Sequence, residues 1–480
     1  MKDISKNVKK VLIIYLLCFI GLISYITYFE MVKAPVLSAS QYNRRLWAKR
    51  NEVLRGTIYD KNMKPLTKST RISSDSQKIE YTDGELFAHV LGYVDVKYGL
   101  TGLQYRYDKE LMSTDIKDDL MNYFKSKLNG SKTKVDKVGN GLETTLDYNI
   151  QKKAFDLLGD NRGAVVALNP KTGEILALVS KPSFNPNNLE QDWNAINANK
   201  DRPLLNRATS GLYPPGSTFK TITAISSLEN IDGIMNRTFN DTGRLQFNKT
   251  QSLSNFNGEV LGNISFKQAY VYSSNVVFGT LGMELGNDKL KETAEKFYFN
   301  KDIPTDGITV DNSRFPELKK YEIGSIAQSA IGQGSVLATP MQMALVASTI
   351  ANDGTMMKPY LVKEVLNSKG TVLSTIVPET IGDVIPPETA KIMQEFMRGV
   401  VKEGTGVNAS ITGIDVCGKT GTADHTEDGK PATPHSWFIG FAPYNDPQIA
   451  VAVIVEDGGQ GGIVAARIAS DVMAEALNNK

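Results

Sequence analysis

"GLYPPGSTFKTITAI", Gly211 to Ile225, is the stretch on which the reading of this chain turns. Pro214-Pro215-Gly216 makes a turn, and an apolar-periodic helix is predicted from Ser217 to Asn230. A serine at that place carries its hydroxyl at the positive end of a helix dipole, where developing negative charge is favoured. Lys220 follows three residues on, so both side chains lie on one helical face. A neutral lysine amine within hydrogen-bond reach could take the serine proton and make a nucleophile. The pattern alone is weak, because Ser-x-x-Lys recurs as "SKTK", Ser131 to Lys134, in a lysine- and glycine-rich linker.

Two more short patterns lie downstream, and each also occurs twice. Ser-x-Asn appears as "SFN" (Ser183 to Asn185) in a proline-rich loop and as "SSN" (Ser273 to Asn275) in a helical stretch. Lys-Thr-Gly appears at Lys171 to Gly173 and at Lys419 to Gly421. The first copy joins the two apolar runs of "GAVVALNPKTGEILALVS", Gly163 to Ser180, and reads as a hairpin tip. The second copies follow Ser217 in the order Ser-x-x-Lys, Ser-x-Asn, Lys-Thr-Gly.

That ordered trio resembles the penicillin-recognising serine acyltransferases, the penicillin-binding proteins and serine β-lactamases. The likeness covers nearly the whole chain. "RGTIYDKNMKPL" (Arg55 to Leu66) is similar to the Arg-Gly-x-Ile-x-Asp box of class B penicillin-binding proteins. "HVLGYV" and "GLTGLQYRYDKEL" resemble their pedestal, and "IGQGSVLATPMQMALVASTIANDG" resembles later helices of their transpeptidase domain. The match is closest to short forms without C-terminal PASTA repeats. The implied fold class is α+β, an antiparallel sheet sandwiched by helices, with an N-terminal transmembrane helix and a β-rich pedestal. Residues 1–30 are expected to form the cytoplasmic N-terminus and anchor, 31–141 the pedestal and linker, and 142–480 the transpeptidase domain.

The resemblance also implies roles. Ser217 attacks the D-Ala–D-Ala carbonyl of a stem peptide, and Lys220 is its general base. A second cation, Lys419, helps keep Lys220 neutral. Ser273 links the two lysines and relays a proton to the departing D-alanine. Asn275 binds the substrate amide, Thr420 and Thr422 with Lys419 suit the terminal carboxylate, and Gly421 clears the strand edge for the substrate backbone. The N–H groups of Ser217 and Thr422 make the oxyanion hole. β-Lactams would acylate Ser217, and a membrane glycan polymerase of the SEDS type is the implied partner. The motifs leave open whether an amine or water takes the acyl group, so D,D-carboxypeptidase activity stands beside transpeptidation. A non-catalytic scaffold is disfavoured by intact Ser217, Lys220, Ser273 and Lys419, and no intracellular signalling domain supports a β-lactam sensor. About 110 residues between anchor and domain are too few for the glycosyltransferase of a class A protein.

Composition agrees with this reading. A chain of 480 residues, 41% hydrophobic and 22% charged, is long enough for two or three globular domains. A net charge of +2 gives no basic field for nucleic acid. Lys2, Lys6, Lys9 and Lys10 precede "VLIIYLLCFIGLISYITYF", Val11 to Phe29, 19 residues without a charge. At about 1.5 Å rise per residue this spans a hydrocarbon core of roughly 30 Å. Lysines before the span place the N-terminus in the cytoplasm and the remainder outside. A cleaved signal peptide, cut near "SAS" at Ser38 to Ser40, is the alternative, but its apolar core is usually shorter.

One stretch stands apart. "VCGKTGTADHTEDGKPATPHSW", Val416 to Trp437, holds Cys417 and two of the three histidines, His425 and His435. Cys18 lies in the apolar run, so Cys417 is expected to be a free thiol. The family's chemistry requires no cofactor, yet thiolate and imidazole favour zinc. A zinc site at Cys417, His425 and His435, with Asp424 or water as a fourth donor, is therefore an expectation. Against it, Cys417 and His425 are about 27 Å apart if the strand stays extended.

Overall fold

The computed structural model describes residues 2–33, 47, 50–73, 76–114, 136–248, 251–427 and 429–478. The "SAS" and "SKTK" stretches, and most of the lysine-rich linker, lie outside these residues. Helix α1, Lys2–Tyr28, is the one described helix long and apolar enough to cross a membrane. Its described side chains are exposed throughout.

The pedestal is built on a hairpin, β1 (Thr67–Ser73) and β2 (Ser76–Tyr81). The turn before it forms because Asp60 Oδ1 accepts from the N–H groups of Asn62 and Lys64, at 2.9 and 2.7 Å. Arg55 is buried, and its guanidinium donates to Asp108 Oδ1 at 2.6 Å and to Gln104. The two pedestal stretches singled out in the sequence are thus fastened to each other by a partly buried ion pair. Ile58–Tyr59 then joins a four-stranded sheet with Gly141–Thr144, Val362–Leu366 and Val372–Thr375, so pedestal and C-terminal domain share backbone hydrogen bonds.

The large domain contains α2 (Tyr148–Leu158), β3 (Gly163–Leu168) and β4 (Ile175–Lys181). Its later strands are β5 (Cys417–Ala423), β6 (His435–Ala442) and β7 (Ile449–Val455). The five pair in the order β4-β3-β7-β6-β5, every neighbour antiparallel. The sheet is assembled from both ends of the domain, β3 and β4 from its start and β5 to β7 from its end. In β7, all of "IAVAVIV" is buried, because the two faces meet different layers. Ala450, Ala452 and Ile454 belong to the core that includes Met343, Val346 and Ile350 of the helix Pro340–Ala351. Val451, Val453 and Val455 pack with Ile150, Ala465, Val472 and Met473, from α2 and the last helix, Val464–Asn478. Burying one such valine or isoleucine contributes roughly 1.5–3 kcal/mol, so a charge at Val453 would break the outer layer.

Two helical expectations are modified. The stretch from Ser217 begins as a 3₁₀ turn, Gly216–Phe219, and becomes α-helical only at Lys220, as α3 (Lys220–Asn230). The helical stretch that holds Ser273 is two helices, Phe266–Val271 and α4 (Asn275–Lys296). The break falls at Ser273, whose φ of +60° is left-handed, and the new helix is capped by Ser274, which accepts from Val277 N–H at 3.0 Å.

Candidate active site

Ser217, Ser273, Asn275, Thr420 and Thr422 line one cleft of about 810 Å³. The 3₁₀ turn holding Ser217 is pressed against β5. Gly216 has φ +53°, and a Cβ there would lie 2.8 Å from the Thr422 carbonyl oxygen. On the strand side, a Cβ at Gly421 would meet Thr218 Cγ2 at 2.9 Å and the Pro215 carbonyl at 3.0 Å. The space beside Gly421 is therefore filled by the serine turn and by Trp437. Trp437 locks the turn from below, its Nε1 donating to the Pro214 carbonyl at 3.0 Å. β5 is the last strand of its sheet.

Both motif lysines are fully buried. Lys220 Nζ donates to the Ser273 carbonyl (2.6 Å) and Asn275 Oδ1 (2.7 Å), and lies 3.2 Å from Ser273 Oγ. Lys419 Nζ donates to Ser273 Oγ at 2.9 Å and to its neighbour's carbonyl, Thr420 O, at 3.1 Å. Ser273 Oγ thus sits between two amines. Burial, and then the nearby charge of Lys419, hold the Lys220 amine well below the ordinary lysine range. Burial brings Lys419 down to about 7. Among the hydrogen bonds of the described residues, none joins Ser217 Oγ to Lys220.

The left-handed Ser273 is what turns both its carbonyl and its hydroxyl towards the lysines. A buried polar network holds that corner, and the sequence reading missed it. Asn255 Oδ1 accepts from the N–H groups of Asn275 (2.7 Å) and Val276 (3.1 Å). Its Nδ2 donates to both oxygens of Asp241, at 2.8 and 2.9 Å, and Ser274 Oγ donates to Asp241 as well. Asp241 is fully buried, and its charge partly opposes the lowering at Lys220. Neither residue stands in a motif, and no spacing in the sequence points to them.

The expected zinc set is not brought together. Cys417 is paired with Phe441, at the far end of β5 from Ala423, which is paired with His435. Six residues of strand, about 20 Å, separate the two ends. The Cys417 thiol is buried against the Gln394 carbonyl at 3.5 Å, and burial pushes its pKa up. Asp424 lines the cleft, its backbone bracketed by the Gln333 amide at 3.0 and 3.2 Å. His425 and His435 do meet, stacked with centroids 3.9 Å apart, and the carboxylate beside them is that of Asp457.

Comparison with known proteins agrees with this geometry. Residues 163–474 match the penicillin binding protein transpeptidase domain, and residues 55–138 the penicillin binding protein A dimerisation domain. The chain is 36% identical over 420 residues to the peptidoglycan D,D-transpeptidase PbpA of Mycolicibacterium smegmatis, covering 83% of this chain and 84% of the relative. It is 31% identical over 431 residues to the peptidoglycan D,D-transpeptidase MrdA of Acinetobacter baumannii, covering 80% of this chain and 64% of that one. The penicillin-binding protein A of M. tuberculosis, solved as a ceftriaxone acyl-enzyme, superposes with a TM-score of 0.82 at 32% identity. That superposition covers 90% of this chain and all of the other. With the nucleophile turn, the paired lysines and both family matches in place, the chain belongs to the class B penicillin-binding proteins, in their penicillin-binding protein A and MrdA-like branch.

Proposed function

We propose that this protein cross-links peptidoglycan stem peptides as a serine D,D-transpeptidase, and that Ser217 is the residue acylated by both stem peptide and β-lactam. The observation that carries the assignment is Ser273 Oγ held between two buried amines, in the cleft that Ser217 also lines. Desolvation favours the neutral form of a buried amine, which leaves Lys220 a lone pair with which to act as base.

In the forward reaction Lys220 takes the Ser217 Oγ proton as Oγ bonds to the penultimate D-alanine carbonyl carbon. The oxyanion accepts from the Ser217 and Thr422 N–H groups, each donor typically worth about 3–4 kcal/mol. The C–N bond to the terminal D-alanine then breaks, and its nitrogen leaves with a proton delivered from Lys220 through Ser273 Oγ. Lys419, Thr420 and Thr422 receive the terminal carboxylate, and Asn275 Nδ2 the substrate amide. Peptide added along the free edge of β5 supplies main-chain hydrogen bonds. An amine from a second stem attacks the acyl-enzyme and restores Ser217. The acyl transfer draws on no cofactor.

The same reading assigns residues 1–30 to a cytoplasmic end and membrane anchor, 31–141 to the pedestal, and 142–480 to the catalytic domain outside the membrane. The shared four-stranded sheet supports a pedestal that holds the cleft at a set attitude to its base. A SEDS-type polymerase is the proposed partner, supplying the nascent glycan strand.

Mass spectrometry of the full-length protein after penicillin treatment tests the assignment. One adduct is expected, on the peptide containing Ser217; an adduct elsewhere, or none on folded protein, refutes it. Incubation with paired stem peptides separates the two fates of the acyl group, since dimeric product is expected and D-alanine release alone would mean a carboxypeptidase.

A further inference from the structure

His425, His435 and Asp457 each offer a ligand atom within 4.8 Å of the others, at the end of the sheet where β5 finishes, β6 starts and β7 has just ended. The rings are nearly parallel, 20° between planes, with His425 half-buried and His435 buried. Asp457 Oδ1 lies 3.0 Å from His425 Nε2 and 3.8 Å from His435 Nδ1, and the Asp457 N–H donates to that Nδ1 at 3.2 Å. Neither carboxylate approach is aligned as a hydrogen bond: Asp457 Oδ1 and His425 Nδ1 are both buried without a hydrogen-bond partner among the described residues. A buried carboxylate oxygen facing two imidazoles and bonded to neither costs free energy unless something joins them.

Charge points the same way. Asp201, Glu456 and Asp457 surround the guanidinium of Arg162, and Glu456 is shared with Arg207. Three carboxylates against two guanidiniums leave one negative charge in this network. Asp457 is also held in left-handed backbone, φ +54°, in the turn that brings its carboxylate over the rings.

We propose that His425, His435 and Asp457 bind a divalent zinc ion, with water in the fourth position. Two imidazoles and a carboxylate are a donor set suited to Zn²⁺. Bonds of about 2.0–2.2 Å place tetrahedral donors about 3.4 Å apart, so binding turns the two rings out of their near-parallel stack and draws in donor atoms that now lie within 4.8 Å of one another. The ion fastens three chain segments at one end of the sheet. His425 lies three residues beyond Thr422, and the turn after Asp457 returns to it, Gly461 N–H donating to Thr422 Oγ1 at 3.3 Å. Zinc here is a clasp on the strand that binds substrate, and takes no part in bond making.

Full-length protein in detergent, stripped with chelator, is titrated with Zn²⁺ in competition with a chromophoric chelator. One equivalent per chain is expected, weakened at least tenfold in His425→Gln and in Asp457→Asn and unchanged in Cys417→Ser. Co²⁺ should give the intense visible bands of a four-coordinate site, without thiolate-to-metal charge transfer. Zn²⁺ should also raise the melting temperature of wild type and not of the two variants. Binding absent in wild type, undiminished in both variants, or lost in Cys417→Ser overturns the proposal. If a variant fails to unfold cooperatively, the wild-type Co²⁺ spectrum decides alone: no four-coordinate signature, no site. Penicillin labelling of Ser217 is measured on the same samples, so failure of the metal site and failure of the transpeptidase assignment are read separately.

Discussion

The tripeptide Lys-Thr-Gly occurs twice in this protein, and the two copies live in opposite surroundings. At the tip between β3 and β4, Lys171 is half exposed and pairs with Asp446 across the surface. On β5, Lys419 is fully buried, holds Ser273 Oγ, and has its pKa brought down to about 7. The glycines diverge as well. Gly173 has φ +81° and exists for the turn, whereas Gly421 has ordinary strand backbone and exists for the approach of the serine turn. An ammonium in water is an ordinary surface charge; the same ammonium stripped of water becomes a reagent.

The largest expected contrast comes from deleting each lysine. Lys419→Ala should slow β-lactam acylation by about 10²–10⁴-fold, while Lys171→Ala leaves the rate unchanged. Equal effects in stopped-flow acylation would erase the distinction between the copies.

The pH profile sharpens it. Acylation needs Lys220 neutral, so the rate should climb with pH through a value well under 10.5. It should fall again near pH 7 as Lys419 loses its proton. Lys419→Arg, which stays charged, should remove the falling limb; Lys171→Arg should leave both limbs in place. A falling limb that persists in Lys419→Arg assigns it to another group.

The glycines separate reaction from stability. Gly421→Ala forces the serine turn away and should lower acylation by about tenfold, the cost of slightly misplaced reacting groups. Gly173→Ala forces a left-handed alanine whose Cβ lies 2.3 Å from the Lys358 carbonyl. It should cost about 1–2 kcal/mol or more in denaturant unfolding, with acylation unchanged. Among the variants expected to slow acylation, the smallest loss belongs to Asn255→Ala, which loosens the Ser273 corner without touching either lysine. It should lower the acylation rate severalfold and cost about 1–3 kcal/mol through the underpaired Asp241 carboxylate. A fully active Asn255→Ala would show that the corner holds its shape unaided.

Much of this architecture is legible in the order of the residues. The apolar runs at both ends of the domain announce a sheet closed by distant strands, and the ordered trio picks out Ser217, Ser273 and Lys419 from their decoys. What is not legible depends on register and on backbone breaks. Nothing in "YVYSSNVV" announces that one helix stops and another starts at Ser273. Asp241 and Asn255 act through burial, which leaves no periodic mark. The zinc expectation fails at Cys417 because the five residues between it and Ala423 are straight strand. Counting pairs back from the loop between Ala442 and Ile449 brings Glu456 opposite His435, with Asp457 one residue beyond.

The strand order has a consequence in time. β3 cannot pair with β7 until about 280 further residues have been made, and Ser217 is synthesised early in that interval. The nucleophile turn therefore leaves the ribosome before the strand it is pressed against exists, and before Lys419 can reach Ser273. Until Val455 is in place the chain carries a serine with no activated base and a hairpin with an open edge. That delay keeps the half-made enzyme from reacting, and makes it most exposed to mispairing and proteolysis while its own C-terminal strands are still to come.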